Sequence, residues 1–399
     1  MGYNVLTSKG EKIVLADTPL SKGGEGEVRQ IISPAHYTNN CVKIYYIQNR
    51  TKDRADKIQF MIDNPPAQIQ SKSFMIGWPI DTIHHLNKEF VGFMMPLAFQ
   101  GSKELAYLTS TTLNYKKLGN NWYKYEHRNG KSAKVARLKL MNNIAIPIHL
   151  IHQTGKYVLQ DFKPANVLVT HTGQITICDI DSIQITNGYQ TLFRGQVSTP
   201  DYRPPEYNNN NVGKNASDIL KESWDNFALG VVFYQLLFGL HPYSGLTPKQ
   251  QKDPNENSIA SHIDEGLFPF GNNAYKIKSY SKLHENFVIV PPKLQTLFKR
   301  AFSQDPKQRP RAEEWGKVIH EIILNAGPIP DTPMPPNPAT QVKPTNSAKQ
   351  KSTPPKTASA KSQVTPKTQS KKRNKFVTFF FNAYDFFKRR FGFKLFGFG

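Results

Sequence analysis

Over the first hundred residues, short apolar runs are separated by glycine- and lysine-rich turns, a pattern typical of strands in a β-sheet. The predicted strands are 12–15, 20–28 and 41–46, and a predicted hairpin joins the segments 74–79 and 90–96. A short helix is expected at 51–63, because Asn64-Pro65-Pro66 supplies a stop signal directly after it. This part of the chain should therefore be rich in β-sheet.

Beyond residue 130 the spacing of the apolar residues becomes helical. A long helix is predicted between Ser132 and Gln153, and Pro147 is a place where it is expected to kink. A second helix begins at Asp225 and runs through Leu240 with apolar residues on every face. A helix that is apolar all round is buried, so the second helix should lie in a protein core.

The end of the chain has a different composition. Residues 326–374 are rich in Pro, Lys, Ser, Thr and Gln, a composition that cannot bury enough apolar surface to offset the entropy of ordering, and we expect a flexible linker. Residues 375–399 form an aromatic-basic tail that contains ten Phe. The chain has 399 residues and a net charge of +22, and residues 327–399 carry 11 Lys and 3 Arg against 2 Asp. Because over half of the excess positive charge lies in residues 327–399, the remainder of the chain is only mildly basic. No specific nucleic-acid binding is therefore expected.

Four polar residues in the middle of the chain carry the candidate chemistry. Asp161, Lys163 and Asn166 precede a strand-like apolar run, and Asp179 follows the next apolar run. One carboxylate can orient and deprotonate a hydroxyl, while the asparagine and the second aspartate can hold Mg²⁺ on a triphosphate. The lysine can neutralise a phosphoryl group in transfer, so these residues together fit phosphoryl transfer.

A glycine-rich turn near the N-terminus provides a second candidate feature. Glycines let backbone N–H groups close over phosphates without interference from side chains, and Gly23 and Gly26 lie in this turn. Fifteen residues after Val28, Lys43 interrupts the apolar strand that also contains Cys41. Taken alone, the turn is more typical of an ordinary hairpin and the lysine of a solvated side chain.

In combination, these segments resemble the protein kinase family. Asp161 to Asn166 are similar to the catalytic loop, Asp179 to the magnesium-binding segment, and Gly23, Gly26 and Val28 to the glycine-rich loop, in which Ser21 replaces the first glycine. Three further segments match in order, namely Thr199-Pro200-Asp201-Tyr202-Arg203-Pro204-Pro205-Glu206, Asp225-Asn226-Phe227-Ala228-Leu229-Gly230 and Asp305-Pro306-Lys307-Gln308-Arg309-Pro310. Three other details resemble divergent bacterial serine/threonine kinases, namely Asn64-Pro65-Pro66, Trp78-Pro79 and Asp179-Ile180-Asp181-Ser182.

The resemblance implies a two-lobed α+β protein-kinase-like fold. The expected division is an N-lobe at 10–97, a helical C-lobe at 98–325, the linker at 326–374 and the tail at 375–399. It also implies a buried ion pair between Glu206 and Arg309 that acts as scaffold.

The same resemblance implies that the chain is a serine/threonine protein kinase with ATP and Mg²⁺ as cofactors. Asp161 would align the substrate hydroxyl and Lys163 would stabilise the phosphoryl group, while Asn166 and Asp179 would hold the metal. Lys43 would hold the α- and β-phosphates. The remaining residues expected around the nucleotide are Ser21, Gly23, Gly26, Val28 and Cys41.

Two departures from the family pattern leave alternatives open. The helix at 51–63 lacks the glutamate that pairs with the lysine, and we expect Asp56 to replace it for Lys43. Asp181 stands where kinases have a glycine, which favours a pseudokinase, a binding scaffold of the same fold without turnover. A small-molecule kinase would share the aspartate–asparagine–aspartate set but would lack the segments that end in Glu206 and Pro310.

Partners and location follow from the resemblance and from the tail. The expected partners are a protein substrate with Ser or Thr acceptors, and phosphatase and von Willebrand-type proteins of the kind found beside such kinases. The N-terminus has no apolar segment typical of a signal peptide, and only two cysteines occur, so a cytoplasmic protein is expected. The uncharged run 376–384 is too short to span a bilayer, and we expect the tail to lie on an anionic membrane surface. The alternatives are that the tail docks onto a partner protein or onto the C-lobe of the same chain.

Overall fold

A computed structural model of the chain describes residues 3–111, 113, 115–126, 128, 130–195, 198–250 and 257–327. All of them belong to the first of the two units into which the chain divides, Met1–Pro335 and Pro336–Gly399. The predicted linker and tail, apart from residues 326 and 327, lie outside the described residues.

Within the described residues, most of the strands lie before residue 200. The strands are β1 (Tyr3–Thr7), β2 (Lys12–Leu15), β3 (Ser21–Lys22), β4 (Gly26–Ser33), β5 (Asn40–Tyr45), β6 (Phe74–Ile76), β7 (Asp81–His84), β8 (Phe90–Pro96), β9 (Lys103–Glu104), β10 (Tyr157–Val158), β11 (Val167–Val169), β12 (Ile175–Ile177), β13 (Gln184–Thr186), β14 (Thr191–Phe193), β15 (Leu246–Pro248) and β16 (Ile277–Tyr280). The α-helices are α1 (Lys52–Asp63), α2 (Tyr115–Leu118), α3 (Lys131–His152), α4 (Glu206–Asn209), α5 (Glu222–Phe238), α6 (Ile259–Asp264), α7 (Pro292–Ala301) and α8 (Ala312–Asn325).

The N-terminal strands form a sheet in the order β2-β1-β7-β8-β5-β4-β3. Because β2 pairs with β4 as well as with β1, the sheet closes on itself. Alternate residues of each strand point inwards and fill the interior with apolar side chains. The members of this core are Val5, Ile13, Leu15, Ile31, Val42, Ile44, Ile83, Val91 and Met94. The side chains of β5 that point away from this core can therefore take part in the candidate site.

The region after β8 is mostly helical, and its centre is α5. This helix is buried along almost its whole length, as its apolar sequence predicts. Its Tyr234 ring lies 5.4 Å from the ring of Phe298 and 5.6 Å from that of Phe268, within an aromatic cluster that joins α5 to α7. The long helix α3 contains Pro147 as expected. None of the helices in the described part of the chain is long and apolar enough to cross a membrane.

One predicted pairing is wrong. The hairpin partner of β8 is β7, not the segment 74–79, and the turn between them covers residues 85–89. The strand β6 within 74–79 instead runs parallel to β12 in a separate four-stranded sheet of described strands, β6-β12-β11-β9. Both segments are apolar and short, so periodicity alone could not decide which of them pairs with β8.

Candidate active site

The hairpin of β11 and β12 brings two of the predicted site residues together. Its register pairs Val167 with Ile177, so Asn166 and Cys178 face each other where the hairpin opens. The Cys178 backbone N–H donates to the Asn166 carbonyl at 2.8 Å, and Asp179 follows directly. Asp179 adopts a left-handed backbone with φ of 58°, and its side chain is 46% exposed. Asn166 and Asp179 therefore lie beside each other, as the sequence predicts.

Asp161 lies in a cluster of hydrogen bonds with Lys163 and Thr199. Lys163 Nζ donates to Asp161 Oδ2 at 2.6 Å and to Thr199 Oγ1 at 2.8 Å. Thr199 donates to Asp161 Oδ1 from its backbone N–H and from its hydroxyl, both at 2.8 Å. Asn166 Nδ2 donates to the Asp161 carbonyl at 2.9 Å. The three polar residues of the predicted catalytic loop therefore belong to one hydrogen-bonded network.

The start of α5 holds this loop in place. Asp225 is buried and accepts the backbone N–H groups of Leu159 at 2.8 Å and of Gln160 at 3.0 Å. The His152 ring lies 2.8 Å from the same carboxylate. Gln160 has a φ of 65°, a conformation that costs energy for a residue with a side chain. The two hydrogen bonds that the backbone donates to Asp225 offset that cost. Asp225 therefore holds the backbone of this loop.

The glycine-rich turn connects β3 with β4. The Gly23 N–H donates to the Gly26 carbonyl at 2.9 Å, and Ser21 pairs with Val28 across the two strands. A Cβ atom on Gly26 would lie 2.2 Å from the Ile44 carbonyl oxygen, so only glycine fits this position. Ser21 and Gly23 are exposed, which leaves the tip of the turn accessible.

Lys43 is the residue at which the sheet meets the β12 loop. Its Nζ donates to Asp179 Oδ1 at 2.9 Å and to the two oxygens of Asp181 at 2.6 and 2.8 Å. Burial alone would lower the pKa of Lys43, but the carboxylates of Asp181 and Asp179 raise it above its ordinary value. Burial opposes ionisation of Asp181 as well, yet Lys43 holds the pKa of that carboxyl below its usual range. Both groups are therefore charged.

The expected pairing of Lys43 with Asp56 is wrong. Asp56 is exposed and accepts a hydrogen bond from Lys52 at 2.5 Å, one helical turn earlier on α1. The buried charged side chain of α1 is Lys57, whose Nζ donates to the Arg194 carbonyl at 3.3 Å. Burial lowers the pKa of Lys57 to about 8, and Asp181 raises it in part. The helix therefore presents cations, not a carboxylate, towards Asp181.

Cys41 and the expected ion pair of the scaffold are both found in the interior. Cys41 is buried, and its Sγ lies 3.8 Å from the Pro96 carbonyl oxygen. Burial raises the pKa of its thiol to about 12, so it behaves as a small apolar group.

Arg309 donates to both oxygens of Glu206 at 2.8 and 2.7 Å, which confirms the predicted buried ion pair.

Sequence reasoning missed the roles of three residues. Asp181 stood out only as a departure from the family pattern, although it pairs with Lys43 and accepts the Tyr45 hydroxyl at 2.7 Å. Tyr45 did not stand out, but strand periodicity places it on the same face as Lys43, and that signal could have found it. Thr199 was expected only as part of a family motif, and its contact with Asp161 spans 38 residues of the sequence.

Comparison with known proteins agrees with this arrangement. The family model described as "Protein kinase domain" matches residues 90–318. Protein kinase YegI of Escherichia coli (strain K12) is 26% identical over 328 residues, which are 80% of this chain and 46% of the relative. Serine/threonine protein kinase ypkA of Aspergillus fumigatus is 25% identical over 235 residues, 58% of this chain and 32% of that protein. The chain therefore spans less than half the length of these relatives.

A solved structure supports the fold. The structure described as "ROP18 kinase domain in complex with AMP-PNP and sucrose" has a TM-score of 0.51 and 15% sequence identity. The match covers 82% of this chain and 84% of that chain. Together with the family match over more than half of the sequence, the two-lobed arrangement of a β-rich and a helical part shows that this chain belongs to the protein kinase family.

Proposed function

We propose that the chain is an active serine/threonine protein kinase, which transfers the γ-phosphoryl group of ATP to protein hydroxyl groups. The observation that carries the proposal is the contact between Lys43 Nζ and Asp179 Oδ1 at 2.9 Å. It brings the lysine expected to bind phosphates to the aspartate expected to hold the metal. These two residues come from different parts of the sequence, and a chance match of either segment would not produce the contact.

The residues present fit ATP and Mg²⁺. In phosphate-transferring sites, Mg²⁺ is usually held by one or two protein carboxylates together with the substrate phosphates. Asp179 and Asn166 supply oxygen ligands of this kind, and the carboxylate is partly exposed. Gly26 packs so closely against β5 that a side chain would not fit there, and the tip of the turn at Gly23 and Gly24 carries no side chain that would block the expected phosphates. Bound Mg²⁺ would neutralise phosphate charge.

The protein groups divide the remaining tasks. Asp161 aligns the substrate hydroxyl and accepts its proton, while Thr199 and Lys163 fix the carboxylate through hydrogen bonds of 2.6 to 2.8 Å. Lys163 also supplies a positive charge that can stabilise the phosphoryl group in transfer. Lys43 holds the α- and β-phosphates. The lysine two residues after the aspartate is the serine/threonine pattern.

The test is incubation of the purified protein with labelled ATP, Mg²⁺ and a general protein substrate, followed by phosphoamino-acid analysis. Label should appear on Ser or Thr. Asp161→Asn should lose transfer by about 10²-fold or more yet still bind ATP, because Asp161 acts on the hydroxyl and not on the nucleotide. Asp56→Asn is the matched control, since Asp56 is an exposed aspartate outside the site. Equal transfer by wild type and Asp161→Asn would refute the proposal.

A pseudokinase is the alternative, and one observation favours it. Asp181 stands at the position of a family glycine, and both of its carboxylate oxygens accept hydrogen bonds from the lysine that should bind phosphates. In that case wild type would bind ATP and transfer no phosphate. The assay above separates the two functions, because nucleotide binding and label transfer are measured on the same samples.

Partners and location also remain proposals. We propose that the aromatic-basic tail, residues 375–399, binds anionic membrane surfaces through its ten Phe and the basic residues among them. Full-length protein should float with anionic liposomes in a salt-sensitive way, and a chain that ends at Ala326 should not. Equal flotation of the two proteins would show that the tail is not responsible for membrane binding. The phosphatase and von Willebrand-type partners stay predictions from the resemblance.

A further inference from the structure

Asp181 is fixed more completely than any other carboxylate that contacts Lys43. Its side chain is 2% exposed, whereas that of Asp179 is 46% exposed and that of Glu25, at 3.8 Å from Lys43 Nζ, is 27% exposed. Lys43 donates to both Asp181 oxygens, and the Tyr45 hydroxyl donates to Oδ2 at 2.7 Å. Lys43 and Tyr45 lie on the same face of β5, so Asp181 is held against the strand that carries the lysine.

The charges of α1 are arranged to receive this carboxylate. Arg54 Nη1 lies 4.0 Å from Asp181 Oδ2, and the Arg54 guanidinium lies over the Tyr45 ring at 4.5 Å from its centre. The aspartates of this helix, Asp53, Asp56 and Asp63, are all exposed. In the family pattern, a carboxylate on the helix pairs with the strand lysine. Here the helix contributes a cation, and the carboxylate that pairs with the lysine comes from the loop after β12.

The same arginine reaches the glycine-rich turn. Arg54 donates to both oxygens of Glu25 at 3.0 Å, and Glu25 lies between Gly24 and Gly26 at the tip of the turn. A bidentate pair of this kind fixes direction as well as distance. A continuous chain of contacts thus runs from Glu25 through Arg54 and Asp181 to Lys43.

We infer that Asp181 is the positioning residue for Lys43, and that it takes over from the loop after β12 the task that family members give to a helix glutamate. The inference rests on the proposed function, because it names what aligns the phosphate-binding lysine of that site. A neutral residue at this position would leave Lys43 with Asp179 at 2.9 Å as its principal partner. Lys43 would then compete with Mg²⁺ for the Asp179 carboxylate and would bind phosphates less well.

A double-mutant cycle on nucleotide binding tests this inference. The affinity of the full chain for Mg²⁺-ATP is measured for wild type, Asp181→Asn, Lys43→Met and the double variant, with thermal unfolding as a check on folding. Asp181→Asn should weaken binding by about 10-fold, the scale of hydrogen bonds to charged groups. Because Asp181 acts through Lys43, the double variant should bind no more weakly than Lys43→Met alone.

Two further variants keep the test decisive. Tyr45→Phe removes one hydrogen bond from Asp181 without a change of charge or volume, and it should weaken binding by about 3-fold even if Asp181→Asn does not fold. Asp56→Asn should bind as wild type does. Wild-type affinity in both Asp181→Asn and Tyr45→Phe, or losses that multiply in the double variant, would overturn the inference. Failure of the proposed function would show differently, as an absence of Asp161-dependent label transfer, because the cycle measures binding only.

Discussion

The hydroxyl and the backbone N–H of Thr199 both donate to the same oxygen of Asp161, at 2.8 Å each. The hydroxyl oxygen of Thr199 also accepts from Lys163 Nζ at 2.8 Å. One threonine of the segment 198–206 therefore fixes the carboxylate and the lysine that are proposed to act on the substrate hydroxyl and the phosphoryl group.

The first prediction concerns this threonine. Thr199→Val keeps the volume but removes a hydroxyl that donates to a carboxylate, a bond worth about 1.5–3 kcal/mol. The kcat for phosphate transfer should fall by at least about 10-fold while the affinity for Mg²⁺-ATP stays the same. Thr199→Ser retains the hydroxyl and should stay close to wild type. Equal kcat values for the valine and serine variants would contradict the prediction.

The second prediction is that activity does not require phosphorylation of the segment around Thr199. Gln160, which is uncharged, precedes Asp161, so no cation stands at this position to receive a phosphate. A Cβ atom on Gly195 would lie 1.9 Å from Gln160 Oε1, so the backbone at Gly195 already packs against the Gln160 side chain. A phosphate on Thr199 would place negative charge beside Asp161.

Phosphatase treatment should therefore leave the rate of transfer unchanged, with mass spectrometry to establish that residues 183–206 carry no phosphate. The opposite result would be a loss of activity that returns when this segment is phosphorylated again. Wild type before and after mock treatment is the control.

The parts of the site that could be predicted from the sequence are those whose residues are close along the chain. Asp161, Lys163 and Asn166 lie within one loop, and the short hairpin that follows fixes where Asp179 falls. Local spacing and strand register are enough to bring these side chains together. The predicted bounds of the long helix also agree with α3 to within one residue at each end.

The partner of Lys43 could not be predicted in the same way. Asp181 is 138 residues away in sequence, and carboxylates on α1 stood as candidates at a plausible distance along the chain. A buried lysine needs a carboxylate partner to offset the cost of burying its charge. This need does not determine which element of the fold supplies the carboxylate. The choice depends on packing that puts Lys57 and Arg54, not Asp56, on the inner face of α1.

The third prediction compares a buried ion pair with an exposed one of similar length. Arg309 and Glu206 are 2.7 Å apart with side chains 0% and 10% exposed, whereas Lys293 and Glu321 are 2.6 Å apart with side chains 64% and 48% exposed. Arg309→Met leaves a buried carboxylate without its partner and should lower the free energy of unfolding by about 3–5 kcal/mol. Lys293→Met should cost less than about 1 kcal/mol. Urea unfolding measures both, and similar losses would show that burial does not decide the effect.

The fourth prediction is that His241 makes the fold less stable as the pH falls below about 6.5. His241 is buried, its Nε2 lies 2.9 Å from the Asp201 carbonyl oxygen, and its Nδ1 accepts the Tyr243 N–H at 3.2 Å. This arrangement suits the neutral ring, and burial lowers the pKa of His241 from 6.5 to about 3.

Between these two pKa values the unfolded chain binds a proton that the folded chain does not, so this contribution to stability is full above pH 6.5 and is lost as the pH falls. At about 1.4 kcal/mol per pH unit, the loss attributable to His241 should reach about 2 kcal/mol at pH 5. Unfolding in urea at pH 7.5 and at pH 5 should therefore show a smaller decrease for His241→Gln, whose amide can still donate to Asp201, than for wild type. His171→Gln, a change at an exposed histidine, should retain the wild-type decrease. If His241→Gln and wild type lose the same free energy between these pH values, the histidine does not carry the effect.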